Sequence, residues 1–271
     1  MRRLLLGIVL IVLCACAACD DGGDGGDGRG GSGPAADPSA PGDLPTSATE
    51  PAVPLPDGTE LRYVLHAPPR AGRLGPLPVV LVLHGNPGTP ETMAEATRFD
   101  ALADREGFLV VYPDNYGGPD EVPALLDRLA EEWRIDQRRI YAAGFSRGAT
   151  AVYDLARSQA DRIAAFAPVS GVSDSGFDLL RVPSLITFQG TADDLAPGFA
   201  PVNRQWARAA GCRAAPASAV RLGARRARLT VEQCARGAEH VVYAVERMGH
   251  EWPRPATRLV WDFFVAHPLD R

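Results

Sequence analysis

Gly144-Phe145-Ser146-Arg147-Gly148 is the stretch on which the reading of this chain turns. An apolar run, Arg139-Ile140-Tyr141-Ala142-Ala143, leads into it, and a helix-compatible run, Ala149-Thr150-Ala151-Val152-Tyr153-Asp154-Leu155, leads out. Strand, sharp turn with a serine at its centre, then helix is the layout of a nucleophile elbow. Such a turn leaves no room for side chains beside its tip, which is why glycine flanks the serine on both sides. The Ser146 hydroxyl is then expected at the carboxyl end of a strand, within reach of a base.

Working outward, apolar runs at 61–66, 79–83, 108–112, 140–143, 163–169, 184–188 and 241–245 read as strands. The middle ones are continuous rather than alternating, as expected of strands covered on both faces in a parallel sheet. Helical patterns fall between them near 92–106, 122–133, 147–159 and 202–210, with a last one at 256–265. Leu125, Leu126, Leu129 and Trp133 recur at three- and four-residue steps, which gives one buried face. The alternation predicts an α/β domain over 57–271, with a mostly parallel central sheet and helices on both faces. Ligands of such sheets sit beyond the carboxyl ends of the strands, so the strand-to-helix loops are where chemistry is expected.

Three further loops carry suitable residues. After 79–83 comes His84-Gly85-Asn86-Pro87-Gly88. Attack by a serine creates a tetrahedral oxyanion that two backbone N–H groups can hold, and the candidates are Asn86 and Arg147. Pro87 has no N–H to offer. After 184–188 comes Gln189-Gly190-Thr191-Ala192-Asp193-Asp194. Here Asp193, with Asp194 in reserve, is placed to orient a histidine and stabilise its cation. After 241–245 comes Met248-Gly249-His250-Glu251-Trp252-Pro253. His250 follows a glycine late in the chain, so it can swing over the elbow. Of the other histidines, His66 and His240 lie in strand patterns, His267 lies near the end, and His84 shapes its own turn. Plainer readings of these loops are a Gly-Pro turn at 85–88 and an Asx turn at Asp193.

The first 56 residues differ in character. Met1-Arg2-Arg3 precedes an apolar run, 4–13, too short for a membrane span and suited to the core of a secretory signal. Leu13-Cys14-Ala15-Cys16-Ala17-Ala18-Cys19 resembles a bacterial lipobox, with Cys16 the expected lipidated residue and Cys19 the reserve. An ordinary cleaved signal with incidental cysteines is the rival. Residues 1–18 are thus read as the signal and 19–56 as a disordered Gly/Asp/Pro-rich tether, which has too little apolar surface to offset the cost of ordering it. The net charge of −5 is concentrated here. Seven acids and three arginines lie before residue 57, which leaves 26 acids and 25 bases, no field to steer nucleic acid. The basic runs 134–139 and 221–228 read as solvated faces. Beyond the signal region only Cys212 and Cys234 remain, which suggests one disulfide in an exported chain, against two buried free thiols. Beyond the signal region nothing has zinc spacing.

Taken together, Leu83-His84-Gly85, Tyr112-Pro113-Asp114, the elbow, Gly190-Thr191-Ala192-Asp193, Trp206, Gly211-Cys212, Cys234 and Gly249-His250-Glu251-Trp252-Pro253 resemble the feruloyl esterase and polyhydroxybutyrate (PHB) depolymerase-like branch of the α/β-hydrolases. The likeness implies an α/β-hydrolase fold, a Ser146–Asp193–His250 triad and a Cys212–Cys234 disulfide. It departs from the family at Gln189, where histidine is frequent, at Asn86-Pro87, and in the short stretch 115–121. The expected activity is an exported serine carboxylic-ester hydrolase working through an acyl-enzyme, without cofactor or metal. Candidate substrates are short-chain, hydroxycinnamoyl or acetyl, and polyester-type esters. The expected protein is a monomer in the cell envelope, held in the membrane by lipid, or secreted. A non-catalytic surface-binding lipoprotein and a serine peptidase of the same fold are the alternatives.

Overall fold

A computed structural model describes residues 51–270, apart from 74, 117–119 and 174. The signal, Cys16, Cys19 and nearly all of the tether lie outside the described residues.

Ten strands form a single sheet: β1 (Ala52–Pro54), β2 (Glu60–His66), β3 (Leu77–Leu83), β4 (Leu109–Pro113), β5 (Ile135–Phe145), β6 (Ala165–Val169), β7 (Ser184–Gly190), β8 (Ser218–Leu222), β9 (Arg225–Gln233) and β10 (Glu239–Val245). Their spatial order is β1-β2-β4-β3-β5-β6-β7-β10-β9-β8. The six central strands, β4 to β10 in that order, are mutually parallel. Antiparallel pairs close both edges: β1–β2 on one side and β9–β8 on the other. Among the described residues six α-helices accompany them: α1 (Pro90–Thr97), α2 (Phe99–Glu106), α3 (Glu121–Glu132), α4 (Arg147–Ser158), α5 (Ala196–Ala209) and α6 (Ala256–Ala266).

The run Leu77-Pro78-Val79-Val80-Leu81-Val82-Leu83 is buried along its whole length, which explains its lack of alternation. Its odd and even positions feed two separate cores. Leu77, Val79, Leu81 and Leu83 pack with α3, α4 and α5, through Leu125, Val152, Tyr153 and Trp206. Val80 and Val82 pack with α1, α2 and α6, through Met93, Phe99, Val260 and Phe264. Each buried leucine or phenylalanine contributes about 1.5–3 kcal/mol, so the sheet is clamped from both faces. Stacked rings add to the second core: Trp261 on Phe108 at 3.9 Å and Phe264 on Tyr141 at 4.8 Å.

Four features differ from the sequence reading. The single helix expected at 92–106 is two, because Arg98 adopts a left-handed φ of 56° that no helix continues through. The helix expected from 202 begins at Ala196; Pro197 and Pro201 hid its first turns, and Pro197 is tolerated because its missing N–H has no partner in the first turn anyway, whereas Pro201 lies inside the helix. The basic run 221–228 is a hairpin, β8–β9, in which Arg226 and Arg228 face solvent while Leu222 and Ala227 are buried. Finally, β1 lies within the span 19–56 read as tether. Val53 is buried and pairs with Leu61, so folded structure reaches back to at least residue 51.

Candidate active site

The elbow forms at the carboxyl end of β5, one of the two middle strands of the parallel array. Ser146 has φ 56° and ψ −119°, a conformation that costs a non-glycine residue of order 1–3 kcal/mol. The surroundings enforce it. A Cβ on Gly144 would lie 2.4 Å from the Gly148 carbonyl oxygen, and one on Gly148 would lie 2.2 Å from that of Leu83. Gly171, just past β6, would collide with the Ala149 methyl at 2.4 Å. The Ser146 N–H donates to the Val169 carbonyl at 3.0 Å, pinning the tip to the neighbouring strand.

His250 comes from the loop after β10, and its Nε2 lies 2.8 Å from Ser146 Oγ. Its Nδ1 lies 3.0 and 3.1 Å from the two carboxylate oxygens of Asp193. The Asp193 side chain is fully buried; its Oδ1 also accepts the Leu195 N–H at 2.9 Å. The two loops clasp each other. Ala192 N–H donates to Met248 O at 2.9 Å, Arg247 N–H donates to Thr191 Oγ1 at 3.0 Å, and a Cβ on Gly190 would lie 2.2 Å from Met248 O. The Phe145 ring packs 4.7 Å from the His250 ring. Beyond it, Arg225 at the β8–β9 turn forms an ion pair with Glu251. Three residues that are 104 and 57 positions apart along the chain are thereby brought into one hydrogen-bonded line.

The loop after β3 lies beside the serine: a Cβ on Gly85 would be 3.1 Å from Ser146 Cβ. His84 shapes this loop. Its ring nitrogens lie 2.8 Å from Gly85 O and 3.0 Å from Asp114 O, which ties the loop to the end of β4. The buried Tyr116 donates its hydroxyl to His84 O, and its ring meets the His84 ring edge-on at 5.2 Å. Burial pushes the Tyr116 phenol up, so it keeps the proton this bond needs. Arg147 lies over the Tyr116 ring, its guanidinium carbon 5.6 Å from the centroid. Among the described residues neither the Asn86 N–H nor the Arg147 N–H has an acceptor, and the latter opens helix α4, where the first N–H groups have no partner within the helix. The Asn86–Pro87 peptide is cis.

The remaining sequence candidates are placed elsewhere. Asp194 is exposed, and it is Asp193 alone that bonds His250. His66 pairs with Asp104 at 2.8 Å, and His267 Nδ1 bonds the Phe263 carbonyl at 2.7 Å. His240 is buried with its Nδ1 2.9 Å from Glu232; burial pushes its pKa down against the pull of that carboxylate. Cys212 and Cys234 form a disulfide, which joins the end of α5 to the end of β9. Cys212, Glu232 and His240 bring potential ligand atoms within 4.8 Å of one another, but the Cys212 sulfur is tied up in that bridge. Gln189 exchanges two amide hydrogen bonds with Asn203, at 3.0 and 2.8 Å, and so fastens β7 to α5. Tyr116 carried no sequence signal, and neither the basic run around Arg225 nor the Gly-His-Glu-Trp-Pro segment around Glu251 announced that those two residues pair. Each acts through a partner distant in the chain, and none belongs to a periodic run.

Known proteins share this arrangement of strands and loops. Residues 61–118 match the family model for esterase PHB depolymerase. A bifunctional acetylxylan esterase/xylanase of Neocallimastix patriciarum is 36% identical over 130 residues, which cover 44% of this chain and 19% of that protein. The acetyl xylan esterase of Aspergillus awamori superposes with a TM-score of 0.60 over 75% of this chain and 94% of its own, at 16% identity. The chain has the α/β-hydrolase fold, and over residues 61–118 it is similar to the PHB-depolymerase esterases. A ferulic acid esterase of Anaeromyces mucronatus shares the fold at a TM-score of 0.59 and 15% identity, over 82% of this chain and 90% of its own. The α/β-hydrolase fold and the family resemblance expected from the elbow, the His-Gly loop and the Gly-His-Glu-Trp-Pro segment are thus borne out. The chain spans between about a fifth and about half of the length of the curated relatives it matches.

Proposed function

We propose that the protein is an exported serine carboxylic-ester hydrolase. One observation carries the reading: His250 bridges Ser146 and the buried Asp193 through its two ring nitrogens. In this reading Nε2 takes the Ser146 proton as Oγ attacks an ester carbonyl. Asp193 fixes the tautomer that leaves Nε2 free and stabilises the imidazolium that forms. The backbone N–H groups of Asn86 and Arg147 receive the oxyanion, and each such donor contributes about 10²–10³ in kcat. His250 then returns the proton to the departing alcohol. Water, activated by the same ring, cleaves the acyl-enzyme and restores Ser146. The chemistry asks for no metal or organic cofactor.

Short-chain, hydroxycinnamoyl or acetyl, and polyester-type esters are the substrate classes, supported by the acetylxylan and ferulic acid esterases that the chain resembles. The protein acts as a monomer outside the cytoplasm, anchored by lipid on Cys16 with Cys19 as the alternative. Among the described residues no helix is long and apolar enough to cross a membrane. The test is hydrolysis of p-nitrophenyl acetate by the mature protein against Ser146→Ala. The variant is expected to lose about a thousandfold or more in kcat. Equal rates would favour a binding protein on a hydrolase scaffold. Cleavage of aryl amides in preference to esters would favour a peptidase.

A further inference from the structure

We infer that the Arg147 side chain is a carboxylate receptor beside the nucleophile, so that the preferred substrates are esters bearing a negatively charged carboxylate close to the scissile bond. The inference rests on the ester-hydrolase reading and adds to it a substrate class. Arg147 has two separable parts. On the hydrolase reading its backbone N–H receives the oxyanion. Its side chain is exposed, with the guanidinium carbon over the Tyr116 ring at 5.6 Å from the centroid. A guanidinium within reach of an aromatic face is attracted by the ring without using up its N–H groups, and their fork matches a carboxylate in a bidentate way. Among the described residues no carboxylate lies within ion-pair distance of Arg147, and its side chain donates no hydrogen bond to any of them.

The contrast with the other charges around the serine sharpens this. Arg225 is neutralised by Glu251, and Asp193 is buried beneath His250. Arg147 is the cation next to Ser146 left uncompensated by the described residues. Its platform is fixed rather than incidental. Tyr116 is buried, and its hydroxyl is bonded to the carbonyl of His84, whose neighbour Gly85 packs against Ser146.

The experiment compares kcat/KM for matched anionic and neutral esters. Mono-p-nitrophenyl adipate against p-nitrophenyl hexanoate tests a carboxylate on the acyl side. 4-Acetoxybenzoate against 4-acetoxybenzamide tests one on the alcohol side. At least one anionic member is expected to be preferred by about tenfold, about 1.4 kcal/mol. Raising ionic strength from about 20 mM to about 0.5 M shortens the screening length to a few ångströms and should erode that preference. Arg147→Gln should lower the anionic-to-neutral ratio to near one, Arg147→Glu should invert it, and Arg147→Lys should restore part of it. Tyr116→Leu, which removes the platform, should move the ratio in the same direction as Arg147→Gln. Equal kcat/KM within both pairs, or a preference untouched by Arg147→Glu, overturns the inference while leaving the hydrolase reading intact. No hydrolysis of any of the four esters above the Ser146→Ala level overturns both.

Discussion

The two loops that meet at the Ser146 hydroxyl are held by different means. At the elbow, backbone is packed on backbone: Gly144, Gly148 and Gly171 each sit where a Cβ would come within 2.4 Å of a neighbouring atom or closer. In the other loop the glycine beside the imidazole is Gly249, and a Cβ there would meet nothing within 4 Å. That loop is positioned instead by hydrogen bonds to Thr191, Ala192 and Asp193 and by the Arg225–Glu251 pair. Its one steric anchor, Gly190, lies beneath it at the end of β7. The nucleophile is therefore set by excluded volume, the base by polar contacts. Excluded volume gives one geometry or none; polar contacts give a position that weakens by degrees.

The sharpest test removes the strongest of those polar contacts. Asp193→Asn leaves the shape of the site intact but lets the amide donate to Nδ1, so the ring presents its proton to Ser146 from Nε2. A fall in kcat of about 10³–10⁴ is expected, with the unfolding transition nearly unchanged. A fall under tenfold would mean that another acid serves His250. Next in size is the steric side. Gly148→Ala forces a methyl against the Leu83 carbonyl and should cost about 3 kcal/mol in urea unfolding. Gly249→Ala, one loop away, should stay within about 0.5 kcal/mol. Equal costs for the two substitutions would break the distinction drawn between the loops.

The same distinction governs what the sequence discloses. Excluded volume leaves a compositional trace, because only glycine fits. Gly144 and Gly148 around Ser146, and Gly190 before Asp193, mark the elbow and the acid loop without any coordinates. The buried parallel strands are legible for a related reason: both faces of β3 are covered, so its seven residues are all apolar or proline. Contacts between side chains far apart leave no such trace. Arg225 and Glu251 are 26 positions apart, and their meeting depends on the register of β9 against β10, with Arg225 inside a basic run that reads equally well as a solvated face. Tyr116 is one aromatic residue in an irregular segment, and only the placement of His84 gives its hydroxyl a purpose. Strand β1 has three residues, too few for a period to show. Arg98 breaks the first helix pair by its backbone conformation alone, which its identity does not announce.

The smallest effect is expected from the outermost support of the base. Arg225 and Glu251 are 41% and 44% exposed, so water screens their attraction, and exposed pairs contribute about 0.2–1 kcal/mol. Arg225→Ala should therefore leave stability within that range. Its signature lies in kcat, because Glu251 adjoins His250 and its release loosens the ring that must stay 2.8 Å from Ser146 Oγ. A fall of about two- to fivefold in kcat with KM unchanged is expected. Raising salt should lower the wild-type kcat toward that of the variant, since ions weaken the pair in one and find nothing to weaken in the other. A variant whose kcat matches the wild type at low salt would assign the placement of His250 to Asp193 and the Thr191–Ala192 contacts alone. The polar side of the comparison would then shrink to the acid loop.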